Sequence, residues 1–173
     1  MADVDFTTLN AVANVLTVAV LLLGLLFGVV QLNHLQRRRR DAIALEAVRI
    51  MQDEATAKAV QCVLGLPDSV SQDQLVVRGP DVESCVSLVE YNFDTLGWMV
   101  HRRMIPLRDL DDLMGGAVRA VWRRVHVLAE ERRHVTGQSN HFEWTQWLAE
   151  QLEAHPSPAK QSGAHIYYRR WRP

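Results

Sequence analysis

At 173 residues with a formal net charge of -1, the chain lacks both the length for two domains beside an anchor and the basic excess that non-specific nucleic-acid binding requires. Its two cysteines, Cys62 and Cys85, are too few for a disulfide framework and lack the Cys-x-x-Cys spacing of zinc and redox sites, so both read as reduced, buried thiols. Arginine outnumbers lysine 17 to 2, a bias that fits a GC-rich genome and also the bidentate contacts arginine makes at interfaces.

From Phe6 to Gln36 there is no Asp, Glu, Lys or Arg, and the run ends in Arg37, Arg38, Arg39 and Arg40. Its apolar centre, Leu9 to Val30, is 22 residues long and as a helix rises about 33 Å, enough for a hydrocarbon core of about 30 Å. A cleavable leader has a positive segment before a shorter apolar core and a small-residue cleavage site after it. Here Asp3 and Asp5 precede the run and the arginines follow, so a retained transmembrane helix is expected. The arginine cluster then faces the anionic headgroups of the cytoplasmic leaflet, with the acidic N-terminus outside, as in a single-pass protein of the inner membrane.

Within this span Asn10, Asn14, Thr17, Leu21, Gly24, Gly28, Gln31 and Leu35 recur at alternating spacings of four and three, which puts them on one seam. The seam is small and polar. Lipid is better served by leucine there, whereas a second helix gains from the close approach that Gly24-x-x-x-Gly28 permits, so the seam is expected to pack against another transmembrane helix.

No breaker follows Arg40. The helix is expected to run on through DAIALEAVRIMQDEATAKAVQCVL until Gly65-Leu66-Pro67, about 55 residues and roughly 80 Å in all. Asp68 to Pro80 reads as a polar loop. The next helix, Asp81 to Arg102, puts Val82, Val86, Val89, Phe93, Leu96 and Val100 on one buried stripe. Pro106 opens a short helical stretch, Gly115-Gly116 breaks or closely packs it, and Val118, Val121, Trp122, Val125, Leu128 and Ala129 mark a further amphipathic helix in which Trp122 is expected in the core. Gly137 ends it. Asn140 and Glu143 resemble a capping box for the last helix, which Pro156 and Pro158 close. After the linker-like Ser157 to Ala164, the run Tyr167, Tyr168, Arg169, Arg170, Trp171, Arg172 is too aromatic for a solvated terminus and is expected to dock on a partner protein. The predicted architecture is all-α: one N-terminal transmembrane helix (1–36) continuing into a small cytoplasmic helical bundle (37–155), then an arm (156–173).

The stretch VESCVSLVEYNFDTLGWMVHRRMIPLRDLDDLMGGAVRAVWRRV and the later FEWTQWLAEQL resemble a bacterial family known as domain of unknown function 4760, over about residues 5 to 153. The resemblance rests on an aromatic and acidic helix, a mid-helix tryptophan and a Phe-Glu pair before the final helix. It implies a single span with a cytoplasmic helical domain and no particular activity.

Catalysis finds little footing. Glu131 and His134 form a Glu-x-x-His pair, but helical di-iron sites need two such pairs and two more glutamates; an exposed charged face is the simpler reading. His126 and Glu130 read as a surface pair. No metal or cofactor is expected. Two function classes stand: a non-catalytic accessory or assembly subunit packed against integral membrane subunits, of the kind found in photosynthetic and respiratory complexes, and a stand-alone sensor or effector that forms homo-oligomers through the glycine seam. No nucleic-acid partner is expected in either.

Overall fold

Alanine, leucine, glutamate and arginine favour helix, and the described residues of the computed structural model are helical with no strand among them. These are residues 16–18, 20–28, 30, 31, 45, 48, 49, 51–158, 163–170 and 172. The chain divides into two units, Met1–Ala42 and Ile43–Pro173.

In the first unit, residues 16–18, 20–28, 30 and 31 are helical. Leu21, Leu22 and Leu23 are 66%, 57% and 67% exposed. Successive residues step about 100° around a helix, so apolar side chains stand free on every side. Among the described residues, no helix is long and apolar enough to cross a membrane. Both flanks of the expected span lie outside them, including Asn10, Asn14 and the cluster Arg37, Arg38, Arg39 and Arg40.

The second unit holds α1 (Glu54–Leu64), α2 (Gln72–Arg78), α3 (Pro80–His101), α4 (Leu107–Thr136), α5 (Glu143–Ala154) and α6 (Ala164–Tyr167). The long unbroken helix expected from the span to Leu64 is not found. At Asp53 the backbone leaves the helical region (φ -59°, ψ 136°), and its carboxylate accepts from the N–H groups of Ala55 and Thr56 at 3.1 and 3.3 Å. A short acid that can satisfy first-turn donors starts a helix as readily as it continues one. The expected loop 68–80 likewise contains α2, whose capping box of Ser71 and Gln74 pins it while Leu75 is wholly buried.

The four longer helices close a ring: α1 on α3, α3 on α5, α5 on α4, and α4 back on α1, with α2 against α3 and α4. The core is filled by the predicted stripes. Val86, Val89, Phe93 and Leu96 of α3 meet Val118, Val121, Val125 and Leu128 of α4 in a cluster with no solvent exposure, joined by Val63, Phe142, Leu148 and Leu152. One polar link crosses it, from the Asn92 amide to the Thr56 hydroxyl at 2.9 Å.

Gly115-Gly116 does not break α4, which runs 30 residues. A Cβ at Gly115 would strike the Asp111 carboxylate and come within 3.0 Å of Arg119 Nη1. The missing side chain is therefore the space in which the fully buried Asp111 meets Arg119 at 2.8 Å. Gly137 ends α4 in the left-handed region at φ 67°. Trp122 is not in the core as expected; it is partly buried and flanks the cluster beside His126, with ring centroids 6.0 Å apart.

Phe93→Ala in the full chain is expected to cost about 3–5 kcal/mol, because it empties a site the neighbours cannot refill. Trp122→Ala is expected to cost clearly less. Chemical unfolding followed by circular dichroism checks both, and equal losses would return Trp122 to the core.

Candidate functional site

Helix α5 begins without a cap of its own. Phe142, at the cap position, is in the left-handed region (φ 52°, ψ 26°), and no side chain there bonds the first turn. The expected capping box of Asn140 and Glu143 does not form; only the Asn140 carbonyl accepts from Glu143 N–H, at 3.4 Å. Two carboxylates of α3 supply the acceptors instead. Asp94 Oδ1 accepts from the Thr145 N–H at 2.8 Å and from its hydroxyl at 2.6 Å. Glu90 Oε1 accepts from Phe142 N–H at 3.3 Å and lies 3.0 Å from His141 Nδ1, while Glu90 Oε2 takes Arg132 at 3.3 Å. Negative groups at a helix start are favoured by the free N–H groups and the dipole.

The approach of the two helices is close. A Cβ on Gly97 would run into the carbonyl of Trp144 and come within 2.9 Å of its Cβ. Trp144 in turn lies against His101 and Trp147, at 4.8 and 6.1 Å between centroids. Between α3 and the start of α5, an open groove of about 600 Å³ is lined by Ser87, Tyr91, Asp94, Trp98, Asn140 and Trp144, among others. Asp94 is its uncompensated charge: Oδ1 holds Thr145, and Oδ2 has no partner among the described residues. Burial holds the Asp94 carboxyl above the usual carboxylate range against the two Thr145 hydrogen bonds, with Glu90 and Glu143 adding repulsion.

Asn140 was read from sequence only as a helix cap, and the other groove residues named above were not singled out. The signal for them was present: Tyr91, Asp94 and Trp98, spaced by three and four, form an acid and aromatic line on the face of α3 opposite its buried stripe.

Of the expected packing seam, Thr17, Leu21, Gly24, Gly28 and Gln31 are helical, and apart from the helix's own adjacent backbone no atom of the described residues lies within 4 Å of a Cβ built on either glycine. Of the arm, Tyr167, Tyr168, Arg169, Arg170 and Arg172 are exposed, and Trp171 lies outside the described residues. Tyr168 stacks edge-on with Tyr167 at 4.9 Å, and its hydroxyl accepts from Arg108 at 3.4 Å. The linker expected from Ser157 onward starts differently. Ser157 is buried, donating its N–H to Asp111 at 2.8 Å and its hydroxyl to Asp112 at 2.5 Å. The Glu131 carboxylate accepts from Gln72 N–H at 2.6 Å and so holds the start of α2, and among the described residues no three His, Cys, Asp or Glu side chains gather as a metal-binding group.

The fold brings Cys62 and Cys85 together, since α1 and α3 run antiparallel with Thr56 opposite Asn92. They are free, half-buried thiols rather than fully buried ones. No protein family, curated protein or solved structure matches the chain.

Burial and the neighbouring Cys85 push the Cys62 thiol up to about 11. Because the thiolate is the nucleophile, roughly one Cys62 in a thousand is reactive at pH 8. Alkylation of folded protein by iodoacetamide is expected to be slow at pH 8 and to accelerate tenfold per pH unit as the thiol titrates; mass spectrometry of Cys62 peptides measures it, and a plateau by pH 9 would contradict the shift.

Proposed function

We propose that the chain is a non-catalytic membrane-anchored subunit whose helical domain holds a partner protein. The observation that carries this reading is the first unit's helix, on which leucine, valine and phenylalanine are exposed around the whole circumference. In water such a surface is driven into an apolar environment, at roughly 25 cal/mol for each Å² removed. A helix apolar on all sides belongs in a lipid bilayer or a protein core. The uncharged run from Phe6 to Gln36 and the arginines after it favour the bilayer, with the helical domain on the cytoplasmic side.

Within the bilayer the hydrophobic effect no longer drives helices together, so association depends on close backbone contact. Gly24 and Gly28 offer that contact, as their helical surface is open. The partner-binding side of the reading is supported by the exposed aromatic and arginine arm and by the α3–α5 groove, since tyrosine, tryptophan and arginine are the usual anchors of protein interfaces.

Alkaline carbonate extraction of membranes containing the full chain tests the anchor. The protein is expected in the pellet, and release with peripheral proteins would refute the anchorage. Gly24→Leu is expected to leave the pellet fraction unchanged while lowering co-purification of partner membrane subunits in mild detergent, whereas Leu22→Ala has little effect on either. Equal effects of the two substitutions would reduce the helix to a plain anchor.

A further inference from the structure

The groove between α3 and the start of α5 has aromatic walls and an acidic floor. Tyr91 and Trp98 are 72% and 42% exposed, beside an Asp94 oxygen that has no partner among the described residues. Aromatic faces attract cations, most strongly on tryptophan, and a half-buried carboxylate calls for a positive partner. No lysine or arginine lines the groove; Arg132 of α4, which reaches the lining Glu90, is engaged by Glu90 and Glu83 at 3.3 and 3.5 Å.

We propose that this groove binds the guanidinium of an arginine side chain presented by a partner protein. Three features select that occupant. A guanidinium is planar, so it stacks on Trp98, Trp144 or Tyr91 while donating in-plane hydrogen bonds to Asp94. The other polar groups of the lining are the Glu90 carboxylate, already held by Arg132, and the Ser87, Thr95 and Asn140 side chains, whose oxygens accept hydrogen bonds. A quaternary ammonium has no N–H to give them. The groove is also open along its length and, at about 600 Å³, larger than one guanidinium, which leaves room for residues flanking the arginine in a polypeptide. The proposal rests on reading the domain as a partner-binding module, but not on the membrane anchor.

The test uses the purified full chain in detergent micelles, with the indole N–H signals of Trp98 and Trp144 assigned by single substitution. The probes are acetyl-Gly-Arg-Gly-amide and the same peptide with citrulline, which keeps the shape of arginine without its charge. The arginine peptide is expected to move the Trp98 and Trp144 signals saturably, and the citrulline peptide to bind about tenfold more weakly, the size of one cation–π and carboxylate contact. Tyr91→Ala, at a mostly exposed position, is expected to weaken binding without loss of fold, and Asp94→Asn to weaken it while retaining an oxygen for Thr145. Equal binding of the two peptides, or a shift at Trp122 as large as those in the groove, would overturn the proposal. Tighter binding of phosphocholine than of the arginine peptide would assign the groove to lipid and overturn it as well. Because the measurement is made on detergent-purified protein, its failure leaves the carbonate test of anchorage untouched.

Discussion

Helix α5 cannot close its own ends, and the domain is arranged around that deficit. Its N-terminal N–H groups find acceptors in Glu90 and Asp94 of α3, and at its C-terminus the Leu152 carbonyl accepts from Arg119 of α4 at 2.6 Å. Arg119 is oriented by Asp111, which also holds Ser157 just beyond α5. One short helix is thus tied at each end to a different long one. Removing one member of a buried ion pair costs about 3–5 kcal/mol because the other is left unpaired, which makes the Asp111–Arg119 contact a strict constraint. Gly115 exists to admit it.

The same arrangement creates the groove. The two carboxylates that cap α5 draw its first turn onto α3, and Gly97 lets the backbones touch at Trp144. Alongside that contact Tyr91 and Trp98 are exposed in the groove that Asp94 also lines. Structural capping and the chemistry available to a ligand therefore share one side chain. Asp94 meets its structural duty with Oδ1 alone, and Oδ2 has no partner among the described residues.

The first unit poses a different problem. Leucines of its described helix are exposed, and an apolar surrounding is what such side chains call for. Anchorage in a bilayer, with glycines that let a second helix approach, is the reading under which these side chains are satisfied. Under the proposed reading, the helical domain and the arginine-rich arm are the parts that would hold other proteins.

Periodicity was enough to identify α3, most of α4 and their buried faces, because the alternation of apolar and polar residues every three to four positions directly records which side of a helix faces solvent. Val86, Val89, Phe93, Leu96, Val118, Val121 and Leu128 are buried where the pattern put them. Local chemistry could also have revealed α2 through Ser71 and Gln74, and the restart at Asp53. The tertiary structure alone decided the rest. Whether Gly115-Gly116 breaks or packs a helix depends on Asp111 and Arg119 needing the space of a side chain. Whether Asn140 caps α5 depends on α3 lying close enough for its carboxylates to do so first. Cys62 and Cys85 become neighbours only once α1 and α3 pair. A sequence records the preferences of each segment, but a shared polar group is assigned only when distant segments compete for it in space.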